Sequence, residues 1–167
     1  MTVLIVLRGP SGSGKSTVAK AVRAAFGDTM ALIEQDHFRR IVLKEKDIPN
    51  GLNSELIKRT VLFALEHGRH VILEGILDAG RYEAMLEEIT VIHPEQNHFF
   101  YFDISLEETI RRHQTKPNKD DFGEKELRSW YKQNNLLSFV TEHLVHEQQT
   151  VDQTRDGILS ICEYRSG

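Results

Sequence analysis

The chain has 167 residues, 40% of them hydrophobic and 28% charged, with 21 Lys and Arg against 25 Asp and Glu for a net charge of −4. This is the size and composition of one ordinary globular domain, 1–167, able to bury a core without disulfide or metal staples. The mild acidity fits poorly with coating nucleic acid or a membrane surface, no apolar run reaches the ~20 residues of a membrane span, and the lone Cys162 has no disulfide partner within the chain.

Residues 1–7 lack the charged n-region of a secretory leader, so the cytoplasm is the expected compartment. Val3-Leu4-Ile5-Val6-Leu7 predicts a buried first strand. An amphipathic helix follows, with Val18, Val22, Ala25 and Phe26 on one face, and ends at Gly27-Asp28. A second strand is expected over 30–33, a helix over 54–67 burying Ile57, Val61, Ala64 and Leu65, and a third strand at 71–73 closing on Glu74-Gly75. Tyr82, Met85, Leu86 and Ile89 mark another helix. The aromatic run HFFYFDI at 98–104 marks a fourth strand.

Ser105-Leu106-Glu107-Glu108 reads as a capping box, Leu127, Trp130, Tyr131 and Leu137 as one further helix, and Leu144-Val145 as a fifth strand. Thr150 to Gln153 would cap a last helix holding Ile158, Ile161 and Cys162. Strands alternating with helices predict an α/β fold: a three-layer α/β/α domain on a parallel five-stranded sheet, with a small helical lid at about 106–137.

Between the first strand and its helix stands GPSGSGKST, residues 9–17, an ungapped match to G-x-x-x-x-G-K-[ST]. Gly9, Gly12 and Gly14 let the backbone curl so that N–H groups converge on an anion, and Pro10, Ser11 and Ser13 complete the loop. Lys15 can reach the β- and γ-phosphates, Ser16 can ligate Mg²⁺, and Thr17 opens a helix whose positive dipole end faces the anion. ATP is the expected nucleotide. N-K-x-D at 118–121 spells a guanine-reading signature but follows Pro117 in a polar loop, not an apolar strand. The histidine pairs His67/His70 and His143/His146 have no third ligand nearby in sequence and read as surface or cap residues.

Ligands of open parallel sheets bind beyond the carboxyl ends of the strands, so three loaded strand ends should share one cleft. Asp36, just past the second strand, could accept the proton of a hydroxyl attacking the γ-phosphate. Glu74, ending the third strand, stands where an acid holds Mg²⁺ directly or through water. Trp130 and Tyr131 could stack a base or sugar, though their helical spacing is more often that of core residues.

GPSGSGKST, then DHFRR after the second strand and LEG at the third, resembles the P-loop small-molecule kinases, above all the zeta-toxin and chloramphenicol-phosphotransferase group. The resemblance implies Asp36 as catalytic base and Arg39 as a substrate or phosphate contact. LEETIRRHQTKP resembles that group's lid, which implies Arg112, with Arg111, closing over the phosphates; Lys116 stands where an arginine is expected. FGEKELRSWYKQNNLL adds Arg128 and Trp130 as lid or substrate residues. Lys15, Asp36 and Arg112 form the expected catalytic set, acting on a small-molecule acceptor placed between Asp36, Arg39 and the 54–67 helix. A P-loop ATPase or switch protein, a kinase of nucleic-acid ends and a nucleotide-sugar kinase remain open alternatives.

Overall fold

The structure, a computed structural model, describes residues 1–94, 96–117 and 119–163; Asn118 of the N-K-x-D stretch therefore lies outside the described residues. Their centre is β1 (Val3–Arg8), six consecutive buried residues. Alternation sends Val3, Ile5 and Leu7 into one core and Leu4 and Val6 into the other, so the strand is apolar on both faces. Around it lie β2 (Met30–Glu34), β3 (His70–Gly75), β4 (Gln96–Asp103) and β5 (His143–His146) in the order β2-β3-β1-β4-β5, every neighbouring pair parallel. From β1 the chain passes to the edge strand β2, returns to β3 beside β1, and then crosses to β4 and β5 on the other side, which opens a crevice beyond the carboxyl end of β1.

Helices α1 (Lys15–Phe26) and α6 (Val151–Ile161) cover one face of the sheet, contributing Val18, Val22 and Ile158 to its core. Helices α2 (Leu52–Glu66) and α3 (Ala79–Ile92) cover the other, contributing Ile57, Val61, Leu86 and Ile89. This is the expected three-layer architecture. Smaller helices α4 (Leu106–His113) and α5 (Glu124–Trp130) stand at the crevice.

Four local expectations need correction. Ser105 caps α4 by accepting from Glu108 N at 3.3 Å, but the box does not close. Arg111 and Arg112 hold the Glu108 carboxylate at 2.6–2.8 Å, and Glu147 takes the Ser105 N–H instead. Charge-assisted bonds outcompete the neutral return bond. In α6 no cation competes, and Thr150 and Gln153 form the complete box.

The helix expected through Leu137 ends at Trp130, because Tyr131 turns extended and Asn134 takes φ +55°. The irregular chain over 131–142 brings Leu137 into the α2/α3 core by another path. Trp130 is 41% exposed and so is not core. In α6, Cys162 is buried at the end of the helix while Ile161 faces outward.

Candidate active site

The phosphate loop is held in a shape only its glycines allow. Gly9 sits at φ +147°, and a Cβ there would lie 2.9 Å from Phe102 Cβ on β4; Gly12, at φ +78°, lies similarly close to the Thr109 carbonyl of α4. Lys15 is buried and donates to Pro10 O at 2.7 Å and Ser13 Oγ at 3.1 Å, folding its ammonium over the loop. Burial lowers its pKa to about 8, against the opposing pull of Glu74. At the end of β3, Glu74 accepts from Ser16 Oγ at 2.8 Å. Burial raises its pKa, and Lys15 and the Ser16 hydroxyl work the other way.

Asp36 opens the helical turn beyond β2, its side chain 66% exposed and 3.3 Å from Arg39. The segment that follows, His37–Val42, is π-helical, with Leu43 N donating to Phe38 O. Such turns recur at functional sites, and here Arg39 and Arg40 both reach the same cavity. Two cavities meet at Asp36. One, about 310 Å³, lies over residues 11–17 with Glu74 and Lys116; the other, about 370 Å³, opens from Gly9 and Pro10 toward α3 and the end of α5.

Of the expected lid cations, Lys116 faces the phosphate cavity: it is partly buried there, and burial lowers its pKa while Glu74 raises it. Arg112 lines neither cavity. It braces the loop from behind, donating to Ser13 O at 2.8 Å and Glu147 O at 3.0 Å while paired with Glu108. Arg111 lies in solvent against Glu108, 67% exposed, and Arg128 pairs with Glu124 on the surface of α5. Neither reaches the cleft. The 54–67 helix also lines neither cavity. Among the described residues no three His, Cys, Asp or Glu side chains gather as a metal site, and His67 stacks on Phe63 instead.

What replaces α2 as the wall of the second cavity is a polar network with no motif. Arg8, fully buried at the end of β1, pairs with both Glu142 oxygens at 2.8 Å and donates to the carbonyls of Leu77 and Asn135. Asn135 also donates to Asp78, which accepts from Lys132 at 2.9 Å. Asp78, Lys132 and Asn135 all line the cavity. The visible signal was a cation ending an apolar strand, which demands a buried partner. That partner stands 134 residues away. Gly75 had a similar hidden reason: a Cβ there would lie 2.5 Å from Gln35 Oε1, which accepts from Leu77 N.

Comparison with solved structures finds the same fold in three proteins of low identity. The Mycobacterium tuberculosis APS kinase CysC, in complex with AMPPNP and APS, has a TM-score of 0.75 at 15% identity, covering 98% of both chains. The Deinococcus radiodurans tunicamycin resistance protein has a TM-score of 0.69 at 14% identity, covering 99% of this chain and 98% of its own. A gluconokinase from Sinorhizobium meliloti 1021 has a TM-score of 0.62 at 18% identity, covering 96% and 94%. No curated protein matches the sequence significantly. Among the described residues, no helix is long and apolar enough to cross a membrane. With a sequence profile that matches residues 4–138, the chain belongs to the AAA domain family and carries its phosphate-binding loop in the fold of the P-loop kinases.

Proposed function

We propose that the chain is an ATP-dependent phosphotransferase that moves the γ-phosphoryl group of ATP onto a hydroxyl of a small molecule. One observation carries the reading: Asp36 stands where the phosphate cavity meets a second cavity of small-molecule size. A switch protein has no use for that carboxylate or that space. The relatives named as kinases support the same reading.

ATP lies with its phosphates on residues 9–17, where Lys15 unfolds from Pro10 and Ser13 onto the β- and γ-oxygens. The acceptor hydroxyl approaches the γ-phosphorus from the second cavity. Its oxygen forms the new P–O bond as the bond to the β,γ-bridging oxygen breaks, its proton passes to the Asp36 carboxylate, and ADP leaves. Lys116 offsets the charge spread over the transferring oxygens. Arg112 holds Ser13 and hence the loop's shape. A hydroxyl and a desolvated carboxylate 2.8 Å apart form an all-oxygen donor set suited to Mg²⁺, so Ser16 and Glu74 would hold it. When bound, the ion supplies charge neutralisation between the phosphates. The cytoplasm, with its ATP pool, is where we place the activity.

The test is ADP formation with and without a panel of nucleosides, nucleotides, sugars and sugar acids. Asp36→Asn should lower acceptor-dependent turnover by about 10²–10⁴-fold with ATP affinity unchanged. ADP formation indifferent to every hydroxyl compound and to Asp36→Asn would overturn the proposal.

A further inference from the structure

The lining of the second cavity states what kind of acceptor fits, given the phosphotransferase reading on which this step rests. Its carboxylates are already matched. Asp36 pairs with Arg39 at 3.3 Å, Asp47 with Arg81 at 2.9 Å, and Asp78 with Lys132 at 2.9 Å. Two further cations line the same cavity, Lys46 and, at its junction with the phosphate cavity, Arg40, and among the described residues no carboxylate stands within ion-pair distance of either. A chain of net charge −4 thus presents a locally positive pocket with two uncommitted donors. An anionic group on the acceptor would engage them; a neutral sugar or neutral antibiotic would leave them idle.

Beside Pro10 and Ile76, the apolar part of the lining is aromatic. Trp130 ends α5 with its ring 5.0 Å from Phe122, which is in turn stacked on the buried His113 at 4.4 Å. His113 Nε2 lies 2.7 Å from Phe122 O and 3.2 Å from Lys119 O, so the platform is fixed from behind rather than resting on a free loop. Tyr101 lines the cavity too, with the Arg8 guanidinium 5.6 Å from its ring centre. A large, partly exposed Trp facing such a space is a stacking surface for a planar ring. A sugar acid would satisfy Arg40 and Lys46 but leave this platform empty.

We propose that the acceptor is a nucleotide, a small molecule combining a planar base, an anionic group and a free hydroxyl. The base stacks on Trp130 and Phe122, the anion lies between Arg40 and Lys46, and the ribose hydroxyl is presented to Asp36. These three features surround one cavity of about 370 Å³.

Trp130 is the only tryptophan of the chain, so its fluorescence reads the pocket directly. The full chain, saturated with AMPPNP to block the donor site, is titrated with AMP, GMP, CMP and UMP, with the parent nucleosides and with glycerol phosphate. We expect at least one monophosphate to quench Trp130 and bind at least tenfold more tightly than both its nucleoside and glycerol phosphate. Arg40→Ala/Lys46→Ala should abolish the preference over the nucleoside, and with ATP the same monophosphate should stimulate ADP formation. Absence of any quench, or equal binding of the monophosphate and either its nucleoside or glycerol phosphate, would overturn the proposal. A monophosphate that binds as described yet leaves ADP formation at background overturns it as acceptor. The phosphotransferase reading itself falls separately, only if no hydroxyl compound of any class drives turnover lost in Asp36→Asn.

Discussion

The two cavities that meet at Asp36 are built by opposite routes. The phosphate cavity takes the largest single share of its lining from one contiguous stretch, residues 11–17, shaped by positive-φ glycines and the helix start behind them. The second cavity takes its lining from five separated parts of the chain, from Gly9 to Asn135, fixed by one buried arginine. A binding site made by local backbone geometry can be carried by a short motif. A site made by tertiary placement needs an internal anchor, and here the anchor is where the difference can be broken most severely.

Arg8 belongs to both regions, ending the strand that feeds the phosphate loop and holding Leu77, Asn135 and Glu142. Arg8→Met leaves the Glu142 carboxylate buried and unpaired, and we expect a loss of about 3–5 kcal/mol in urea unfolding. Arg8→Met/Glu142→Leu should recover most of that loss, since an apolar pair of similar volume replaces a buried ion pair at little cost. A single substitution costing under about 1 kcal/mol, the range of exposed pairs, would show that the wall stands without its anchor.

Lys15 sharpens the contrast from the donor side. Lys15→Ala removes a cation aimed at phosphates, so turnover should fall by about 10²–10³-fold. Stability should hold or rise, because the buried ammonium carries a desolvation penalty that alanine does not. Thermal unfolding without nucleotide, set beside steady-state kinetics, separates the two. A large fall in Tm would make Lys15 a structural residue of the loop.

The expected lid cations give a smaller and more selective effect. Lys116→Ala should lower kcat by about 10–10²-fold, less than an enclosed donor because the side chain is only partly buried. Arg111→Ala should change neither kcat nor stability by more than about 0.5 kcal/mol, its partner among the described residues being Glu108, in a solvent-facing pair. Reversed results would restore Arg111 as the lid cation and put Lys116 on the surface.

This asymmetry also explains what was legible in the sequence. The sheet and its parallel sense follow from apolar runs alternating with helical patterns, and the two-sided burial of β1 from its unbroken apolar run. The positions of Asp36 and Glu74 follow from their place after strands. Arg111 and Arg112 looked equivalent as neighbours, yet successive helical residues point about 100° apart, so one braces Ser13 while the other meets solvent. Trp130 could not be separated from core residues by spacing alone. The helical spacing that runs on to Leu137 misleads about residues 131–142, because what holds them is the demand of Arg8 for Asn135 and Glu142. Long-range satisfaction of a buried charge leaves no local pattern.

The subtlest expected effect is on pH dependence, and it too belongs to the donor side. In the free fold, burial holds the Lys15 pKa at about 8, against an ordinary 10.5; Glu74 and Asp36 pull it upward, while Lys116 and Arg8 reinforce the fall. Because the folded value lies below the unfolded one, the unfolded chain binds more protons between those limits, and this group's contribution to stability rises with pH there. Nucleotide binding runs the other way. A triphosphate beside the ammonium favours its charged form, so above pH 8 binding must take up a proton, and ATP affinity should fall by up to about tenfold per pH unit. Calorimetric titrations at pH 9 in buffers of different ionisation enthalpy should reveal that uptake, with little at pH 7. Lys116, shifted in the same direction, contributes a smaller share. Lys15→Ala should flatten most of the dependence, and Lys116→Ala only part of it. If Lys15→Ala left the pH profile intact, the proton would belong to another group and the assignment of Lys15 as the desolvated cation of the loop would fail.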